Sequence, residues 1–267
     1  MAEHGGPQSQ VILLTGASRG IGAVIAQAIA APGRTLLLVA RSQTALQKQA
    51  TICQDLGASV YTYAAELGDV DSINELVAQI RCDGCVPDTL INNAGVMGAE
   101  VSPWDDDPQA WWHVMEVNVR APYLLAHAFV PDMLEAGFGR IIDLSSGAAI
   151  WDTPNTVAYY VSKTALFRLG SSLHEAGHTR GLRVLEVAPG VVKTDMTRDA
   201  DMHIGRTEWN DASEVAQIIA AAVDGDLDGL SGAQIRAGTD TLADLKERSL
   251  SGIGHEDRRL RMTGFDN

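Results

Sequence analysis

A phenol and an ammonium four residues apart, Tyr159 and Lys163, are the side chains whose types and spacing most directly suggest chemistry. On a helix, positions i and i+4 lie one turn apart on the same face, so this spacing sets a cation beside a weak acid. A nearby positive charge favours the phenolate and lowers a tyrosine pKa from about 10 toward the range of proton exchange near neutrality. Tyr160 is adjacent, but only Tyr159 keeps the four-residue step to Lys163. A lone pair of this kind is ordinary helix surface in most proteins, and its meaning rests on what the remaining chain places around it.

A second group of residues points to an anion. Thr15-Gly16-Ala17-Ser18-Arg19-Gly20-Ile21-Gly22 joins the apolar run Val11 to Thr15 to a helix-like stretch, Ala23 to Ala31. Glycines between a strand and a helix permit a tight turn and let the backbone approach a dinucleotide pyrophosphate at the helix N-terminus. The next apolar run, Thr35 to Ala40, ends in Arg41-Ser42, where NAD-selective folds usually carry a carboxylate for the ribose 2′-hydroxyl. Arg41 and Arg19 make a two-cation clamp for a 2′-phosphate, with no carboxylate opposing it. The cofactor expected is NADP(H) rather than NAD(H).

The elements that must position these groups alternate along the chain. Helix is expected over 43–56, strand over 59–64, a helix opened by Asp71-Ser72 and running to about Arg81, and strand over Thr89 to Asn92. A long helix from about Gln109 to Glu135 follows, with Asn118 in its middle. Asparagine is a modest helix former, so a buried polar partner is expected there. Strand over 140–145 ends in Ser145-Ser146, and the helix bearing Tyr159 and Lys163 runs to about Ala176. Strand over 183–188, helix over 211–223 and a short strand over 234–237 complete the series. Strands alternating with helices imply one parallel sheet covered on both faces, an α/β fold. The expected division is a flexible N-terminus over 1–10, one domain over 11–240 and a charged C-terminal tail over 241–267, either solvated or packed on another subunit.

Composition excludes several classes. The chain has 267 residues, 46% hydrophobic content and a formal net charge of −14. It can bury a large core, and it would repel a phosphate backbone or an anionic membrane, so neither nucleic acid nor membrane is an expected partner. No apolar run approaches the roughly 18 residues of a membrane span, and the start lacks a signal-peptide pattern, which implies a cytoplasmic protein. Three cysteines cannot all pair within one chain. Cys82 and Cys85 have CxxC spacing, but without a second pair they make a poor zinc site, and no metal is expected.

Taken together, TGASRGIG, Asn92-Asn93-Ala94-Gly95, Asn118, Ser146 thirteen residues before Tyr159, the Tyr159/Lys163 pair and Pro189-Gly190 resemble the short-chain dehydrogenase/reductase family from about Val11 to Gly238. The resemblance implies a single Rossmann-type doubly wound parallel sheet of about seven strands flanked by helices. It implies hydride transfer between a nicotinamide cofactor and a carbonyl or alcohol. Tyr159 would be the general acid in reduction and the base in oxidation. Lys163 would lower its pKa and hold the nicotinamide ribose, Ser146 would polarise the substrate oxygen, and Asn118 would hold a water that relays protons to Lys163. Such roles suit a tuned proton donor and donors aimed at developing charge.

Cofactor contacts carry over to Gly16, Ser18, Arg19, Gly20, Ile21, Gly22, Arg41, Ser42, Glu66, Leu67, Asn93, Ala94, Gly95, Tyr159, Lys163, Pro189, Gly190, Val192 and Thr194. Glu66 stands where the family usually has aspartate, Leu185 replaces a common asparagine, and Gly238-Thr239 replaces a frequent Gly-Gly. The resemblance also implies a homodimer or homotetramer. Beyond the strand ends the loops are bulky and apolar, with Val96, Met97, Ile150, Trp151, Tyr160, Val191, Met196, Met202, Ile204 and Trp209 as candidate pocket lining. A large apolar or aromatic ketone is the expected substrate. The alternatives are a 3-oxoacyl group on an acidic carrier protein, which would want a basic docking patch, and a non-catalytic NADP(H) sensor.

Overall fold

Short runs too brief for helices become strands, largely buried except at the edge over 59–64, and the amphipathic stretches between them become helices on the two faces. The computed structural model describes residues 10–198 and 200–262. The strands are β1 (Val11–Thr15), β2 (Thr35–Ala40), β3 (Ser59–Ala64), β4 (Thr89–Asn92), β5 (Gly139–Leu144), β6 (Leu182–Ala188) and β7 (Gln234–Arg236). The helices are α1 (Gly20–Ile29), α2 (Gln43–Asp55), α3 (Val70–Cys82), α4 (Pro108–Met115), α5 (Ala121–Ala136), α6 (Val157–Gly177), α7 (Ala212–Val223) and α8 (Leu242–Ser251).

All six pairings are parallel, in the order β3-β2-β1-β4-β5-β6-β7. The expected doubly wound sheet of seven strands is therefore what forms. Strand order reverses between β1 and β4, and at such a switch point the strand ends leave a crevice where ligands of this fold bind. One core lies between the sheet and α1, α2 and α7, with Ile25, Leu46 and Ile219 at its centre. The other lies under α3 and α5, built on Ile73, Leu76, Leu125 and Phe129.

Most element ends shift by one to three residues from the sequence reading, and two helices differ in more than that. Asp69, not Asp71 or Ser72, caps α3, its carboxylate accepting from the backbone N–H groups of Asp71 and Ser72. The long helix expected over 109–135 is interrupted: α4 and α5 are joined by one π-helical turn, Glu116–Arg120, which contains Asn118. A π turn inserts one extra residue into the helix and turns a side chain to a new direction, which is why such turns gather at functional sites.

The described part of the segment expected as a tail, 241–262, holds α8 and lies on the same body. Leu245 enters the core, the Gln234 N–H donates to the Arg258 carbonyl at 3.0 Å, and Arg258 forms a two-bond pair with Asp240. The flexible N-terminus expected over 1–10 lies outside the described residues except for Gln10, whose N–H donates to Asp88 Oδ2 at 2.8 Å.

Candidate active site

The glycine turn after β1 is drawn against the end of β4 by hydrogen bonds. Thr15 Oγ1 accepts from the N–H groups of Asn93 and Ala94 at 3.1 and 3.0 Å, and Asn93 Nδ2 donates to the carbonyls of Thr15 and Gly16 at 2.9 and 3.2 Å. Gly16 takes φ +66°, and a Cβ on Gly22 would overlap the Gly16 carbonyl, so side chains larger than hydrogen would open the turn. No side chain caps α1, whose first N–H groups are left facing the crevice with the positive end of the helix dipole. Thr194 stands opposite, its methyl 3.5 Å from where a Gly20 Cβ would lie. A pyrophosphate fits this cradle.

Charged groups near the turn correct one expectation. Arg19 and Arg41 each have a carboxylate neighbour: Arg19 Nη1 lies 2.6 Å from Asp195 Oδ2, and Arg41 Nη1 lies 3.9 Å from Glu66 Oε2. All four side chains are exposed. Ser42 caps α2, its hydroxyl accepting from the Ala45 N–H at 3.3 Å, and the Leu67 side chain is buried. The turn after β6 is pinned by Asn210, whose Oδ1 accepts from the Val191 N–H at 3.0 Å and whose Nδ2 reaches the Ala237 carbonyl at 3.4 Å. Pro189, Gly190 and Val192 belong to this pinned loop. Asn210 carries no motif signature, and nothing in the sequence singles it out.

Asn118, Ser146, Tyr159 and Lys163 converge from three elements. Asn118, buried in the π turn, donates through Nδ2 to the Val96 carbonyl at 2.8 Å and to Ser162 Oγ at 2.9 Å, and its Oδ1 accepts from the Val96 N–H at 2.9 Å. That is the polar partner expected for a mid-helix asparagine. Gly95 packs between Asn118 and Lys163: a Cβ there would meet Asn118 Oδ1 at 3.3 Å and Lys163 Nζ at 3.8 Å. Lys163 Nζ donates to the Leu144 carbonyl at the end of β5 at 2.7 Å and stands 5.7 Å from the Tyr159 ring centre. Ser146 Oγ accepts from the Ala148 N–H at 3.1 Å and is close enough to the Tyr159 phenol to favour its ionised form. Its neighbour Ser145 points into the sheet interior, where Gln234 Nε2 donates to it at 3.2 Å.

The electrostatics reverse one prediction. Burial pushes the Tyr159 phenol above its ordinary value, and the nearby Ser146 hydroxyl is what opposes the rise. Burial also lowers Lys163 to about 8, against the attraction of Glu186 and Asp143. The strand positions of these two carboxyls read as plain interior, so sequence reasoning missed them.

The family model described as short chain dehydrogenase matches residues 10–204. The chain belongs to the short-chain dehydrogenase/reductase family. It is an oxidoreductase of that family. A short chain dehydrogenase of Pseudocercospora fijiensis is 34% identical over 194 residues, covering 71% of this chain and 62% of the relative, so the match spans less than two thirds of that protein. The 3-oxoacyl-acyl-carrier-protein reductase of Escherichia coli strain K12 is 32% identical over 191 residues, covering 72% and 77%. A metagenomic short-chain oxidoreductase solved in complex with NADP superposes with a TM-score of 0.72 at 29% identity, covering 85% of this chain and 97% of that one.

Around the site of this dehydrogenase/reductase, Ile150, Met196, Met202 and Ile204 expose large apolar surfaces, and Trp209 packs edge-on against His203. Glu100 ties the loop down, its carboxylate accepting from the N–H groups of Asp201 and Met202. Trp151 and Tyr160, expected as pocket wall, instead line a groove on the outer face of α6 with Val161, Arg168 and Leu260. A residue one step past Tyr159 on a helix is rotated by about 100°, which carries it off the crevice. Among the described residues no helix is long and apolar enough to cross a membrane, and no group of three or more His, Cys, Asp or Glu side chains could hold a metal ion.

Proposed function

We propose that the protein is an NADP(H)-dependent reductase of a bulky apolar or aromatic ketone, or the dehydrogenase of the corresponding alcohol. We propose further that it works in the cytoplasm as a homodimer or homotetramer. The observation that carries the reading is the convergence of Tyr159, Ser146 and Lys163 at one place, with the buried Lys163 ammonium 5.7 Å from the Tyr159 ring centre and bound to the Leu144 carbonyl, two residues before Ser146. The uncapped end of α1 and the turn around Gly16 and Gly22 would hold the pyrophosphate, Arg41 and Arg19 a 2′-phosphate, and Lys163 the nicotinamide ribose. When bound, the nicotinamide supplies or accepts the hydride.

The protein's own residues do the rest. Ser146 donates to the substrate oxygen and fixes it beside Tyr159, whose phenol delivers the proton as negative charge develops on that oxygen. A phenol held neutral by burial enters reduction already in its acid form. Lys163 stabilises the phenolate left behind. Asn118, anchored at three points, holds the Val96 backbone and the Ser162 hydroxyl in register with Lys163. Arg41 supports NADP(H), and its carboxylate neighbour Glu66 is exposed and loosely paired, so water screens it and a phosphate can displace it.

A panel of ketones assayed with NADPH and NADH tests this reading. The expected result is turnover of large apolar or aryl ketones with NADPH preferred. Turnover confined to small charged substrates, or to carrier-bound 3-oxoacyl thioesters, would contradict it.

A further inference from the structure

The sheet carries a polar row that the proposed chemistry does not use. Asn92, Asp143, Glu186 and Gln234 are direct cross-strand neighbours on β4, β5, β6 and β7. All four are buried, at 4%, 1%, 2% and 4% exposure, on the face otherwise packed by apolar side chains of α5. Asn92 Nδ2 donates to Asp143 Oδ1 at 2.7 Å. Gln234 Nε2 turns the other way, to Ser145 Oγ and to the Ser146 carbonyl at 3.3 Å. Neither Glu186 oxygen has a hydrogen-bond partner, and the Asp143 carboxyl is its cross-strand neighbour.

A niche in α6 accommodates the two carboxyls. A Cβ on Gly170 would overlap Glu186 Oε1 and crowd Asp143 Oδ2 at 3.3 Å. Lys163 lies two turns earlier on the same face of α6, with its ammonium on the Leu144 carbonyl, one residue past Asp143. Two carboxyl groups that face each other in a dry niche cannot both ionise, whereas a proton between them gives one the donor the other lacks.

We propose that Asp143 and Glu186 share one proton and hold a single negative charge behind Lys163, which makes them positioning residues for that ammonium. The polar and charged groups facing the pair are Lys163 from α6, Asn92 and Gln234 from the flanking strands, and Ser145. Lys163 is the charged group that acts on both carboxyls. Burial raises Asp143 to about 6 and, with the Asp143 charge, lifts Glu186 well above its ordinary value. Because the two facing carboxyls cannot both ionise, the pair holds one charge, and that charge opposes the burial that would strip Lys163 of its proton.

This inference rests on Lys163 acting in the proposed reaction, and its test separates the two. Infrared spectra of the intact protein at neutral pH should contain the C=O stretch of a buried protonated carboxyl, lost in either Asp143→Asn or Glu186→Gln. Each single variant keeps one ionised carboxyl, so the alkaline limb of its kcat profile should stay in place. The double variant has no charge there, and its alkaline limb should move down by about one pH unit, a tenfold change in the Lys163 ionisation constant. A wild-type spectrum without the band overturns the shared proton, and needs no variant to fold. A double variant with the wild-type alkaline limb overturns the positioning role. If Tyr159→Phe keeps turnover while the band persists, the reductase mechanism and the positioning role fall and the shared proton stands.

Discussion

Arg41 is the residue on which cofactor choice turns. Its guanidinium is exposed at the end of β2, and Glu66 at 3.9 Å is a partner too distant and too wet to hold it strongly. A 2′-phosphate would form a charge-assisted hydrogen bond there, worth about 1.5–3 kcal/mol. Arg41→Ala is therefore expected to lower kcat/KM with NADPH by about 10- to 100-fold and to leave NADH nearly unchanged, so that the ratio of the two measured side by side collapses. An unchanged ratio would place phosphate recognition elsewhere. Residues with a spacing signature were legible at this scale: Tyr159 to Lys163, Ser146 and the glycines of the turn. Two features were not. The direction of the Tyr159 shift depends on how much of the ring is buried, which no i,i+4 rule contains, and the carboxylate neighbours of Arg19 and Arg41 come from residues far along the chain.

At the scale of elements, β2 and β4 fall where the apolar runs place them, because a strand buried on both faces needs no periodicity beyond its own hydrophobic run. The π turn at Asn118 was hidden, since one extra residue barely disturbs the apolar pattern on either side. The helix α8 was hidden for another reason: it is mostly polar and commits one buried apolar residue, Leu245, to the core. Docking of the segment that follows it on α6 rests on His174. Its Nε2 accepts from Arg259 at 3.0 Å, which fixes the proton on Nδ1 for donation to Ser231 Oγ at 2.8 Å.

Burial, with Arg259, His178 and Arg183 nearby, holds His174 at about 4, against the weaker pull of Glu175. The native state thus binds fewer protons than the unfolded chain between about 4 and the ordinary histidine value near 6.5, so stability is complete above that window and is lost as pH falls through it. The His174 contribution is on the order of 1–3 kcal/mol. Thermal unfolding scanned from pH 7 to 4 should show a fall in Tm that His174→Gln flattens. An equal slope in both proteins would remove His174 from the account. Asp143, raised to about 6, works in the opposite sense, since its native form holds a proton that the unfolded chain releases.

Over the whole molecule, 34 acidic residues stand against 20 basic ones. Such an excess repels itself in the compact state more than in the expanded one, and salt screens the repulsion beyond a Debye length of about 10 Å at 0.1 M. Tm is expected to rise by a few degrees between low salt and about 0.15 M chloride. A fall would mean that attractive pairs such as Arg81 with Asp132 and Lys246 with Asp226 outweigh the net charge. The polar row across β4 to β7 also belongs to this scale. It is invisible along the chain because its four members lie on four separate strands, and only sheet register makes them neighbours.

Everything proposed for the crevice depends on the Tyr159 hydroxyl being the proton donor. Tyr159→Phe removes that oxygen from a ring already packed in the fold, so NADPH binding should persist, while NADPH oxidation by a large aryl ketone should slow by about 100- to 10,000-fold, the range a positioned acid contributes. Turnover at the wild-type rate in that variant would contradict the account.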